Sequence, residues 1–374
     1  MFNLNKKDYR RIDFILILSV IALLIIGLVV LSSAIRPNGE SLKTQLIATI
    51  LGFLSFFIIF FIDFDLFKKL RWLVYLVIIA GLASTMFIGV GGETWGANLW
   101  IRVGSFTFQP SEFAKVLLIL FLAAFIDKNK ADVNKISFVF KYFLVALIPV
   151  ALIIKQGDFG TAMVTLFIVA VMFFMSGIKI RNLLTLLIIV LVIVALILSI
   201  AFPILWNKLS GYQKDRILNF IDPSRDLSDS GMQMENGFVA IGSGQLYGRG
   251  YAKGPMSQNR YIPELHTDYI FPVLVEEFGF IGGVIVIALY FIMIFRMLVI
   301  SQKAPDIFST TVVVGIAALF FIHIFENIGM TMRLMPMTGI PLPFFSNGGT
   351  FQIVNLACIG IVISISALRK PLDF

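Results

Sequence analysis

What most constrains this chain is a succession of long apolar runs. Ten stretches, near 14–32, 45–62, 72–90, 113–126, 139–154, 161–175, 183–206, 271–295, 310–328 and 351–368, are almost free of charge. Most are long enough to cross about 30 Å of hydrocarbon as a helix; several are short for a full span, notably 113–126 and 139–154. A water-soluble core could not hide them: 59% of the 374 residues are hydrophobic and 14% charged, against roughly 25% charged in a soluble domain. The expected fold is therefore an all-α polytopic membrane protein with ten transmembrane helices. One cysteine, Cys358, excludes an intrachain disulfide framework.

Positive charge sets the orientation. The N-terminal segment and alternate short loops carry 17 of the 30 Lys and Arg residues, among them Lys6, Lys68, Lys128, Lys179, Arg296 and Lys370. The opposite short loops hold five: Arg36, Lys43, Arg102, Lys155 and Arg333. Both termini are thus expected in the cytoplasm, which requires an even number of crossings. The net charge of +8 is then a topology signal rather than a nucleic-acid footprint. The first apolar run exceeds a signal-peptide core of roughly 7–15 residues, so an uncleaved first helix is expected despite Ser32, Ser33 and Ala34. Residues 1–374 read as a single membrane domain. Within it, 207–268 is one large extracytoplasmic loop, rich in Gly, Asp, Ser and Asn, with short helices folded over the bundle.

Charged groups inside spans cost about 2.5–3.5 kcal/mol each on insertion scales, so each needs a reason. Glu112 and Lys115 are three apart after Pro110 and share a helix face; they form either a structural ion pair or a charged cavity wall. Asp158, in a polar break between two runs, is either a helix cap beside Thr161 or a site residue. Glu276 and Glu277 point about 100° apart, so at most one faces a given cavity squarely. His323 and Glu326 are spaced to hydrogen-bond each other, and without a third ligand they make no metal site. The segment 333–350, with three prolines and three glycines after Arg333, is expected to be irregular and to shape the bundle's outer mouth. Asp268, beside His266 and Thr267, enters the eighth span as either a cap or a catalytic acid.

These motifs, in this order, resemble the SEDS family (shape, elongation, division and sporulation proteins) over nearly the whole chain. The resemblance rests on the run Gln109 to Lys115, on Tyr212, Gln213, Arg216, Asp222 and Pro223, and on the glycine-rich run Ala240 to Gly250. It continues through His266-Thr267-Asp268, Glu276 to Gly282, and Thr338 to Phe344. It implies a peptidoglycan glycosyltransferase that polymerises lipid II on the outer face of the bacterial cytoplasmic membrane. The family's catalytic acid maps onto Asp268 and its buried ion pair onto Glu112 and Lys115. The implied partners are a class B penicillin-binding protein transpeptidase and the elongation machinery, since the length and short tails are more similar to the elongation (RodA) members than to the division (FtsW) ones. The chain departs from the family pattern at Leu99, Gly157, Asn236, Arg333 and Asn347.

For the implied chemistry, a positioned carboxylate takes the proton of an attacking sugar hydroxyl, and Asp268 is assigned that role. A leaving pyrophosphate needs cationic stabilisation, for which Arg216, Lys115 and Arg102 are candidates. No cofactor is fixed; a divalent cation, magnesium or manganese, is the one candidate. His266 and Thr267 are candidates to orient the acid or the sugar. Two readings of other classes compete: a lipid-linked precursor flippase, and a non-catalytic scaffold for the transpeptidase. The polar, Gly-rich and Pro-rich segments are all extracytoplasmic, which favours an enzyme working at one face.

Overall fold

The computed structural model describes residues 7–36, 42–91, 99–104, 106–182, 214, 218 and 230–368. Its helices are α1 (Phe14–Ala34), α2 (Lys43–Phe61), the short α3 (Asp65–Lys69), α4 (Arg71–Ile88), α5 (Pro110–Lys128), α6 (Ile136–Lys155) and α7 (Phe159–Phe174). They continue with α8 (Ser230–Ser243), the four-residue α9 (Pro255–Gln258), α10 (Ile270–Gln302), α11 (Ile307–Thr331) and α12 (Gly349–Leu368).

Nine of the ten apolar runs are helices; the run 183–206 lies outside the described residues. Seven of the helices, α1, α2, α4, α6, α10, α11 and α12, are long and apolar enough to cross a membrane. Helix α7 is apolar but has 16 residues. Helix α5 has 19 residues and carries Glu112, Lys115, Asp127 and Lys128. The runs 113–126 and 139–154 look short because an apolar run stops at the first polar residue, whereas the helix continues through it.

One expectation is corrected. The fold is not wholly α: strands β1 (Ile101–Val103) and β2 (Phe106–Phe108) form an antiparallel hairpin with Arg102 opposite Thr107. Apolar and polar residues alternate along both strands, and Gly104 turns the chain at φ +63.

Helices α5, α11 and α12 fill the centre. In α11 and α12, 83% and 89% of the apolar window is buried, against 17% in α4, whose outer side chains (Phe87 among them) face outward. Such exposure is what a lipid-facing surface requires. Caps tie helix ends to neighbours. Asp13 accepts from Leu16 N at 3.1 Å at the start of α1 and takes Arg296 of α10 at 2.5 Å. Asp306 accepts from Ser309 N at 2.8 Å at the start of α11 and takes Lys68 at 2.6 Å.

Helix α10 is broken at Gly279, which adopts φ 72, ψ −173. The break frees backbone groups that lipid could not satisfy, and the segment 245–250 fills the gap. Arg249 N and Gly250 N donate to the carbonyls of Glu276 and Glu277 at 2.9 and 3.0 Å, while Phe280 N donates to Gln245 O at 2.8 Å. A Cβ at Gly279 would stand 2.4 Å from Leu246 O, and one at Gly248 2.2 Å from Glu277 O. Only glycine permits that approach.

Candidate active site

Asp268 ends the polar segment before α10, with its side chain half-buried. The segment is sewn by its carbonyls to the irregular stretch 333–348. Asn347 N donates to His266 O at 2.8 Å, and Ser346 Oγ to Thr267 O at 2.5 Å. Buried Asn327, on α11, donates through Nδ2 to both Asp268 O at 2.8 Å and Ile340 O at 2.7 Å. Ser346 Oγ in turn accepts from Leu342 N at 2.8 Å, and Gln45 at the start of α2 donates to Ser346 O at 3.3 Å and accepts from Gly348 N at 3.1 Å. The backbone around the acid is fixed from several directions, while the residue as a whole stays partly exposed.

The polar neighbours divide. Thr267 Oγ1 is directed to Glu264, at 3.0 Å from Oε2, so it serves the segment's own turn. Arg102 is exposed on the hairpin, which is held at the same rim because Thr350, in the first turn of α12, donates to Thr107 O at 3.0 Å. Arg216 lies outside the described residues, as do Tyr212, Gln213, Asp222 and Pro223. Asp158 caps α7, accepting from Thr161 N at 3.0 Å.

Glu112 and Lys115 form a sealed pair. Lys115 Nζ lies 2.8 Å from Glu112 Oε1 and 2.9 Å from His323 Nε2, and the two residues are 4% and 2% exposed. His323 therefore bonds across to α5, not to Glu326 as its spacing suggested, and Glu326 Oε2 has no hydrogen-bond partner among the described residues. With both its neighbours inside the bundle, Lys115 is not presented to a phosphate at the rim. Asn327 follows Glu326 directly and links this interior cluster to the Asp268 segment.

Glu276 and Glu277 are both committed to packing. Glu276 accepts from Met256 N at 2.8 Å and Ser257 N at 3.0 Å, capping α9; Glu277 accepts from Ser33 of α1. Helix α8 lies over the entry to α10, where Gly237 abuts the Tyr269 ring. Arg333 pairs with Glu235 of α8 and sits 4.8 Å from the centre of the Phe238 ring. Among the described residues no three His, Cys, Asp or Glu side chains converge to cage a metal ion.

Residues 13–371 match the profile of the FtsW, RodA and SpoVE proteins, described as cell cycle proteins. The chain belongs to this family. It is 32% identical over 383 residues to the probable peptidoglycan glycosyltransferase FtsW of Trichlorobacter lovleyi, covering 99% of this chain and 97% of the relative. It is 33% identical over 376 residues to the peptidoglycan glycosyltransferase MrdB of Escherichia coli K12, covering 99% and 98%. Among solved structures, a chain described under structural coordination of polymerization and crosslinking by a peptidoglycan synthase complex matches at TM-score 0.81 and 30% identity, covering 95% and 97%. The rod shape determining protein RodA of Thermus thermophilus, in a variant with one aspartate replaced by alanine, matches at TM-score 0.70 and 26% identity, covering 96% and 99%. Several apolar helices and this membership make the chain a multipass inner-membrane protein.

Asn327, Ser346 and Gln45 were absent from the sequence reading of the site. Their signal was present: each is an uncharged polar residue inside or beside an apolar run, where an unpaired amide or hydroxyl is costly. Charge is easier to notice than an amide, and the carbonyls these residues serve are far away in sequence.

Proposed function

We propose that this chain, a peptidoglycan glycosyltransferase of the FtsW, RodA and SpoVE family, polymerises lipid II at its outer face with Asp268 as general base. The observation that carries the assignment is the contrast between an anchored backbone and a residue that stays partly exposed at Asp268. General-base catalysis needs a carboxylate fixed within hydrogen-bond reach of the attacking hydroxyl. Three successive carbonyls, those of His266, Thr267 and Asp268, are anchored.

In the reaction, the 4-hydroxyl oxygen of one sugar attacks the anomeric carbon of another as Asp268 takes its proton. The bond to the polyprenyl pyrophosphate breaks, and the electron pair leaves on the pyrophosphate. Exposed Arg102 on the hairpin is a candidate to meet that developing charge; Lys115 is withdrawn from the role by Glu112 and His323. Arg216 stays a candidate from the family motif. The described residues offer no cage for a divalent ion, so no step is routed through one.

Ten crossings with both termini cytoplasmic and the active site extracytoplasmic is the topology the basic-residue distribution supports. A class B penicillin-binding protein is the proposed partner, supported by the likeness to a chain from a peptidoglycan synthase complex. A role in elongation is supported by the likeness to the rod shape determining protein RodA. Incubation of the purified protein with lipid II, with and without the transpeptidase, tests the reading: glycan strands from the wild type and none from Asp268→Asn are expected. Equal polymer from both would dismiss the base.

A further inference from the structure

Consecutive helices α1 and α2 part instead of zipping together: α2 packs along α12 and α1 along α10. The space between them is a groove of about 420 Å³, floored by α12, whose fourteen lining side chains are all aliphatic or aromatic. That volume is within the roughly 300–1,000 Å³ of ordinary ligand sites. It runs from Phe53 to Phe61 along α2, about 12 Å at 1.5 Å per residue. One leaflet's hydrocarbon is about 15 Å deep. The groove therefore has the length of an acyl chain's ordered part.

Its position fixes the leaflet. Helix α2 starts at the rim of the Asp268 site, through Gln45, and reaches Phe61 sixteen residues later, about 24 Å away. The groove thus opens at the face opposite the acid. Tyr9 lines its mouth and is 49% exposed, as expected of a tyrosine at the membrane–water boundary. The neighbouring acids have cations: Asp8 takes Arg11 at 2.9 Å and Asp13 takes Arg296. Lys7 is directed inward to Phe60 O and to Ser364 Oγ at 2.8 Å. Arg10, next to Tyr9, is exposed, and its side chain makes no ion pair or hydrogen bond among the described residues.

We propose that the α1–α2 groove binds an anionic phospholipid of that leaflet, one acyl chain against α12 and the phosphate at Arg10. A guanidinium at headgroup depth pairs with a phosphodiester and favours a headgroup with no compensating amine. The uniformly apolar lining accepts the chain without stranding a polar group. On the topology above this is the cytoplasmic leaflet, so the site is separate from the one that receives lipid II.

The test is native mass spectrometry of the full chain in detergent with phosphatidylglycerol or phosphatidylethanolamine of identical acyl chains. The wild type is expected to retain phosphatidylglycerol about fivefold better. Arg10→Glu, an exposed change that leaves the bundle untouched, is expected to erase the preference. Ile17→Trp, which fills the groove, is expected to reduce retention of both lipids; Ile21→Trp repeats the measurement if the first variant does not fold. Equal retention of the two lipids by the wild type, an undiminished preference in Arg10→Glu, or unchanged retention in the filled groove would each overturn the proposal. None of these readouts depends on polymerase activity.

Discussion

Glu112 and Asp268 are both acids near the N-terminal end of a helix, and the fold treats them in opposite ways. Glu112 is 4% exposed, clasped by Lys115 on its own helix, with His323 completing the contact from α11. Asp268 is partly exposed while its backbone is anchored. A buried ion pair gains little net stability but is costly to break, because the surviving charge is left without a counterion. A half-exposed acid on a fixed backbone contributes little to folding and much to proton transfer. The first arrangement holds helices; the second is the one proposed to perform chemistry.

That contrast can be broken at four points, in decreasing order of effect. Asp268→Asn is expected to lower lipid II polymerisation by about 10²–10⁴-fold with thermal unfolding unchanged, read by glycan-strand gels beside melting curves. Lys115→Ala should destabilise the protein by about 3–5 kcal/mol, seen as lost yield and a lowered Tm. The double change Glu112→Gln with Lys115→Met should recover most of that loss, and a reversed pair, Glu112→Lys with Lys115→Glu, should do better than either single change. Asn327→Ala leaves two carbonyls unpaired, at about 1–3 kcal/mol; kcat should fall more than KM rises, because the acid is displaced while the rim persists.

The smallest effect belongs to a control at the opposite face, Lys68 and Asp306. Burial disfavours charge on both, but their hydrogen bond and attraction prevail, with Ser309 aiding the acid, so Lys68 is raised and Asp306 lowered from their ordinary values. The pair's contribution is therefore complete at neutral pH. It fades as pH falls through the folded value of Asp306, below the usual carboxylate range, and as pH rises through that of Lys68, above the usual lysine value. The side chains are 25% and 39% exposed, so Asp306→Asn should cost no more than about 1 kcal/mol, since asparagine still caps α11. A Tm series across pH measures it.

The sequence made most of the helices legible, because crossing lipid demands long apolar runs and nothing else produces nine of them in the described residues. It also marked Asp268, Glu112 and Lys115, since charge beside a membrane needs a reason. Three things were hidden. The hairpin at 101–108 is too short for periodicity to reveal. The His323 contact joins residues 208 apart, whereas helical spacing pointed to Glu326. The break at Gly279 is invisible in an apolar run, because its partners are the carbonyls and amides of 245–250, whose glycines look like ordinary loop residues.

That break has a mechanical consequence. The nine residues from Ile270 to Phe278 form a stub joined through Gly279 to a 23-residue shaft, with Asp268 just before its N-terminal end. The wedge at 245–250 grips the hinge from the polar layer. The acid's end of the stub is tied to Asn327 of α11 and, through Ser346, to Gln45 of α2, so the stub is clamped at both ends and takes its direction from the polar layer rather than from the shaft.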